Sequence, residues 1–347
     1  MLTFIYFILI LGITVLIHEL GHFICAKKAG VYCYEFSIGM GPQIFKFYRK
    51  NDETMYSIRL FPSGGYVQMA GEEIEEDENI PKEKRLQSKT WGQKFAIMVA
   101  GVTMNFILAF VLLTIIGFIV GGSNNKVYIN DLVQGYDAVN TTLEKGDHVL
   151  KVNGKSTKFV DTFLIEMQIN SGKPITLTVE TKTGDIKDVT IQPTEVEEKG
   201  EKVYKYGFSY ETKKIDGILG GFEYGVTRFV GLMQQMGRVI LYLVTGKLGF
   251  DNLAGPVGIY SIVGDAAENG FINIVYLLAL ISLNLGFVNF LPIPAFDGGR
   301  ILFLIIEKVK GSPVNPRFEN IVHSVGMIFL LGLMVVITFH DILRLFN

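Results

Sequence analysis

Two histidines four residues apart, with a glutamate following the first, make the segment His18-Glu19-Leu20-Gly21-His22. Positions i and i+4 lie on one face of a helix, so both imidazoles can address a single cation. Glu19 projects beside them, placed to take a proton from water at that cation instead of binding it. Tetrahedral catalytic zinc takes three protein ligands and keeps a fourth position open, so the pair needs a partner from elsewhere. The best-placed candidate is Asp297, in Asn289-Phe290-Leu291-Pro292-Ile293-Pro294-Ala295-Phe296-Asp297-Gly298-Gly299-Arg300. Pro292 and Pro294 interrupt helix just before it, which lets backbone and carboxylate turn inward. Two competitors are Cys25, on the same helical face as His18 and His22, and His323, on the last apolar segment. Three ligands from one short helical stretch would make a poor tetrahedron, so Cys25 reads as a small core residue and His323 as an interhelical one.

The helix that must carry the histidines is itself informative. Residues 2–17 contain no charge, and with the run to Ala26 the segment is long enough to span a bilayer. Ionisable side chains inside such a helix are costly and mark function. Hydrophobic residues make up 49% of the 347 and charged residues 19%, with a mean hydropathy of +0.35, which excludes disorder and argues against an ordinary soluble enzyme. A net charge of −2 gives no sign of nucleic-acid binding. Cys25 and Cys33 are the only cysteines, so there is no disulfide framework. The N-terminus shows neither a basic region nor a small-residue cleavage site and is expected to be a retained helix, not a removable signal peptide.

The expected fold is a polytopic α-helical membrane protein with four transmembrane helices, a membrane-associated β-sheet and one inserted extracytoplasmic domain. Residues 1–26 form the first span. Residues 27–93 connect it to the second and are cytoplasmic, because Lys27, Lys28, Lys46, Arg49, Lys50, Lys82, Lys84, Arg85 and Lys89 lie there. Within them, 33–70 reads as short strands rich in Tyr, Phe, Ile and Val. The nearly uncharged hairpin Phe61-Pro62-Ser63-Gly64-Gly65-Tyr66 is expected to dip toward the metal, and the acidic stretch 72–78 to be a solvated loop. Residues 94–121 form the second span, after the interfacial anchor Trp91. Residues 126–212 turn polar, with alternating strands around Gly146-Asp147-His148, where His148 reads as a packing or solvated residue.

Residues 213–264 contain an amphipathic helix lying on the membrane, interrupted by Glu223, Arg228 and Arg238, and a turn at Gly255-Pro256-Val257-Gly258-Ile259. Residues 265–310 hold the third span with the Asp297 motif, and 319–345 the fourth. Parity supports this count. With three spans before it, Asp297 returns to the cytoplasmic side, where His18 and His22 sit, whereas a crossing at 217–245 would leave it on the other side.

These motifs together resemble the site-2 protease family of intramembrane zinc metalloproteases, in its bacterial RseP-like branch, over nearly the whole chain. The resemblance implies Zn2+ held by His18, His22 and Asp297, with Glu19 as catalytic acid/base. It implies that Asn289 and Asn284 hold the substrate backbone, and that Gly64, Gly65 and Tyr66 belong to a sheet presenting an unwound substrate strand. It makes 126–212 a PDZ domain, although Gly135-Tyr136-Asp137 lacks the usual small-residue turn, and Val102 stands where the family often has proline. The implied location is the bacterial cell membrane, with the N-terminus and PDZ domain extracytoplasmic and the active site near the cytoplasmic face. The implied partners are the lipid bilayer and a single-pass transmembrane protein such as an anti-sigma factor, or else signal-peptide remnants or peptide-pheromone precursors. A non-catalytic PDZ scaffold is the alternative of another class.

Overall fold

The computed structural model describes residues 2–72, 79–198, 201–249 and 252–346, so most of the acidic loop expected at 72–78 lies outside the described residues. In chain order the elements are α1 (Leu2–Lys28), β1 (Cys33–Tyr48), β2 (Met55–Met69), α2 (Trp91–Val120), β3 (Gly122–Ser123), β4 (Tyr128–Leu132), β5 (His148–Val152) and β6 (Lys155–Ser156). They continue with α3 (Val160–Ile169), β7 (Ile175–Glu180), β8 (Ile186–Ile191), β9 (Thr194–Glu198), β10 (Glu201–Lys205), β11 (Phe208–Glu211), β12 (Lys214–Ile215) and α4 (Gly217–Val244). The last four are α5 (Pro256–Glu268), α6 (Phe271–Phe290), α7 (Asp297–Lys310) and α8 (Pro316–Phe346). Among the described residues, four helices are long and apolar enough to cross a membrane: α1, α2, α6 and the Arg317–Arg344 part of α8. The chain divides into two compact units, one of Met1–Ala109 with Leu253–Asn347, the other Phe110–Asn252.

In the first unit, β1 and β2 each bend and shift register, so two strands make four runs, antiparallel at the two outer pairings and running the same way at the central one. Residues 33–38 pair on one side with 65–69, placing Phe36 opposite Val67 and Ser37 opposite Tyr66. On the other side they pair with 55–58, and 43–48 forms the outer run. Phe36, Val67 and Met69 bury themselves against Ala26 of α1, Ile97 and Met98 of α2, and Ile301 and Leu304 of α7. Burial of that apolar surface, at about 25 cal/mol per Å2, docks the sheet on the helices.

Within residues 265–310, helix is interrupted at the two prolines, where their chemistry predicts a break. Helix ends at Phe290, the chain turns through Pro292 and Pro294, and Ala295 takes a left-handed φ of 84° before α7 begins at Asp297. The expected turn at Gly255-Pro256-Val257-Gly258-Ile259 is instead the start of α5, with Gly255 as N-cap and Pro256 in the first turn, where its missing N–H costs nothing. Asp341 of α8 accepts the Gly258 N–H at 2.8 Å, supplying the cap that the sequence around Gly255 does not.

In the second unit, an antiparallel sheet runs in the order β11-β4-β5-β7-β8, with β6 beside β5. Val127, Val149, Phe163, Leu177 and Ile191 are fully buried in its core. His148 stacks on Tyr128 and contacts Glu180 at 3.2 Å, a packing role. Helix α4 is anchored to α3 by Arg228 on Asp161 at 2.7 Å and by Arg238 on Glu166 at 2.8 Å.

Candidate metal centre

His18 and His22 face the same side of α1 and are both 6% exposed. Their Nε2 atoms are 3.2 Å apart. Asp297 Oδ2 lies 3.0 Å from the first and 3.2 Å from the second. For bonds of about 2.0 Å, the edge of a regular tetrahedron is about 3.3 Å, so the three atoms outline one face of such a site. Although Oδ2 of Asp297 is buried, it makes no well-aligned hydrogen bond. An unpaired buried carboxylate oxygen is costly, and a cation at the centre of the three donors would satisfy it. Among the described residues, His18, His22 and Asp297 are the one set of His, Cys, Asp or Glu side chains that converges in this way, and neither Cys25 nor His323 belongs to it.

Local structure aims each donor. His22 Nδ1 lies 2.8 Å from the Ile97 carbonyl, so Nδ1–H donates there and Nε2 is left with its lone pair free. Asp297 is the first residue of α7, on a loop gripped from α8: His323 Nδ1 accepts the Ala295 N–H at 3.0 Å. Any side chain at Gly298 would run into the Leu291 carbonyl, so the Asp-Gly-Gly sequence reflects how tightly this loop folds back. Arg300, one turn further on, pairs with Glu72, so this first residue of the expected solvated loop is held by an ion pair.

Glu19 is half-buried, and its Oε2 accepts the Val67 N–H of β2 at 3.2 Å. Gly64 and Gly65 are buried on the same strand, and a side chain at Gly65 would clash with the Ser37 carbonyl. Tyr66 is committed to the sheet, its hydroxyl donating to Glu35 at 2.7 Å beside Ser57 and a bidentate Arg59. Burial works against the Glu35 carboxylate, but these donors outweigh it and hold the group below its ordinary range. Asn289 is half-buried and Asn284 exposed, and neither side chain has a hydrogen-bond partner among the described residues. Sequence reasoning did not assign roles to the Val67 N–H, Glu35, Arg59 or Asn105. Only Asn105 left a trace, as a lone amide in an otherwise apolar span.

In the second unit, a cavity of about 410 Å3 lies between the open edge of β11 and α3, lined by Tyr136, Phe163, Leu164, Tyr206, Phe208 and Tyr210. Of residues 135–147, where the small-residue turn is missing, Tyr136 alone lines it. Apart from Val133 and Tyr136, the lining comes from residues that follow, because the bordering edge strand comes late in the module.

Two imidazoles and a carboxylate converge where apolar helices meet, with a second carboxylate close by, a donor set that could hold a metal ion for hydrolysis. A model of peptidase family M50 matches residues 6–333. The chain belongs to that family, the site-2 proteases, and is a zinc metalloprotease of the membrane. It is 32% identical to the regulator of sigma-W protease RasP of Bacillus subtilis, over 99% of both chains. Zinc metalloproteases RasP of Bacillus licheniformis and Oceanobacillus iheyensis are 33% and 30% identical, over 99% and 100% of each chain. These alignments run to 422, 421 and 428 positions against 347 residues here, so the relatives carry segments that this chain lacks.

Proposed function

We propose that His18, His22 and Asp297 hold the zinc ion, that Glu19 is the acid/base, and that the chain cleaves a peptide bond within the transmembrane helix of single-pass proteins. The observation that carries this reading is the near-tetrahedral spacing of three buried donors, 3.0–3.2 Å apart. Zinc held there supplies Lewis acidity for the scissile carbonyl and makes water acidic near neutrality. Glu19 takes the proton from the attacking water and passes it to the leaving amine.

A helical substrate hides its carbonyls in i→i−4 hydrogen bonds and must unwind before attack. Residues 64–69 form an edge of the sheet beside Glu19, and an extended substrate adding there as a further strand would be held with its carbonyl near the metal. Asn289, and Asn284 more remotely, would hold its backbone from α6. The metal centre faces the cytoplasmic side in this reading, with the 126–212 module, a PDZ domain, on the other. Span parity and the basic residues after α1 support that orientation.

The name of the Bacillus subtilis relative points to an anti-sigma factor as the kind of substrate. Signal-peptide remnants and pheromone precursors offer the same chemistry. Membrane proteomics comparing the intact chain with a Glu19→Gln variant separates these. Accumulation of single-pass proteins lacking their outer domains supports the first, and accumulation of short signal-peptide helices supports the second. If no membrane polypeptide accumulates, the reading that single-pass membrane segments are its substrates fails.

A further inference from the structure

Helix α2 faces the metal centre with two residues one turn apart, Gly101 and Asn105. A side chain at Gly101 would overlap His22 Nε2, so this glycine makes room for the imidazoles. Asn105 is fully buried, and its amide nitrogen lies 3.3 Å from His18 Nδ1. The amide oxygen, Oδ1, is buried without a hydrogen-bond partner. The residue is pressed into place from α6: Ser282 Oγ donates to the Asn105 carbonyl at 3.0 Å, and a side chain at Gly286 would come within 3.2 Å of Asn105 Cβ.

Tautomer chemistry decides which end of the amide belongs at His18. A histidine that ligates through Nε2 carries its proton on Nδ1, and a buried N–H needs an acceptor. An amide nitrogen cannot serve, because it only donates. Turning the amide by 180° occupies the same volume, brings Oδ1 to His18 Nδ1–H, and satisfies both groups. His22 has the equivalent acceptor in the Ile97 carbonyl. His18 has no backbone carbonyl in that role among the described residues, so a side chain takes it.

We propose that Asn105 is a positioning residue of the metal centre, accepting from His18 Nδ1–H and so holding His18 in the tautomer that offers Nε2 to the metal. This rests on the reading that His18 is a ligand. The proposal separates acceptor chemistry from packing. Asn105→Leu keeps the branched shape of the side chain and removes the acceptor, whereas Asn105→Asp keeps the acceptor.

The test is zinc affinity of the full-length protein in detergent, by competition with a chromophoric chelator, with thermal unfolding of the zinc-free forms as a check on folding. Asn105→Leu should bind zinc about 10–100-fold more weakly, and Asn105→Asp within a few-fold of the parent. Wild-type affinity in a folded Asn105→Leu protein would overturn the proposal. So would a tenfold loss in a folded Asn105→Asp protein, which remains informative if the leucine variant does not fold. His18→Ala distinguishes the underlying reading: if it leaves zinc binding intact, His18 is not a ligand, and the role of Asn105 falls with it.

Discussion

Val67 donates its backbone N–H to Glu19 Oε2 across 3.2 Å, joining strand β2 to the helix that carries both histidines. The carboxylate proposed to move the proton is thereby fixed against the strand proposed to align the substrate. A substrate strand held in register with 64–69 then meets a base whose position is set by the same backbone. Orientation of this kind is worth a large part of a catalytic barrier, because it removes the search for a productive geometry.

Glu19→Gln should therefore retain zinc and the sheet contact, since the amide oxygen still accepts from Val67. It should lose peptide cleavage by about 10²–10⁴-fold, the usual scale of general acid/base catalysis. Zinc analysis alongside cleavage of a fluorogenic single-pass substrate decides it. Near-parental activity would remove Glu19 from the mechanism, and loss of stoichiometric zinc would make it a ligand.

Asp297→Ala should lose zinc, whereas Cys25→Ala should keep both metal and activity. Cys25 is half-buried and packs with the core formed around Phe36 and Val67, away from the three converging donors. Metal content of the two purified variants separates them, and a zinc-free Cys25→Ala protein would mean that the thiol, not the carboxylate, completes the site.

Much of this was legible because the signals were local or topological. The His-Glu-x-x-His spacing follows from helical geometry, and Asp297 from two prolines plus the parity of spans. What escaped the sequence lies in contacts without a local pattern. Asn105 stands 87 residues from His18, and nothing in a lone amide says which helix it will face. Asp341 caps α5 from 83 residues away, so Gly255-Pro256 read as a turn with no helix to follow. The four-run sheet arises from register shifts within β1 and β2, which alternation of side chains does not encode.

In the second unit, burial pushes the Asp161 carboxyl up to about 6 despite Arg228 at 2.7 Å. An unfolded aspartate titrates near about 3.9, so between about pH 4 and pH 6 the folded unit binds the proton that the unfolded chain releases. Stability from this group rises as pH falls through that window and is lost as pH rises through 6. Protection of α3 and α4 amides from hydrogen exchange, corrected for intrinsic rates, should increase from pH 7 to pH 5 relative to an Asp161→Asn variant. Equal slopes in the two proteins would show that Asp161 does not titrate there.

Gly101→Ala tests how closely α2 confines the metal donors. The two backbones approach closely here, since a side chain at Gly21 of α1 would run into the Ala100 carbonyl, the kind of crossing that small residues allow between membrane helices. A methyl group at Gly101 would overlap His22 Nε2 and lie 2.8–2.9 Å from Cε1 and Nε2 of His18. Relief requires either the helices to part or the imidazoles to turn, and overpacking of this size costs about 1–3 kcal/mol. The strain falls on the donor atoms themselves, so it should appear as weakened zinc binding, about tenfold for each 1.4 kcal/mol. Thr103→Ala, on an exposed position of the same helix turn, should leave affinity unchanged. Chelator competition on both variants, with the unfolding midpoint of each zinc-free protein, gives the comparison. Parental zinc affinity in Gly101→Ala, with only the midpoint lowered, would mean that α2 shifts aside and that the imidazoles are aimed without it.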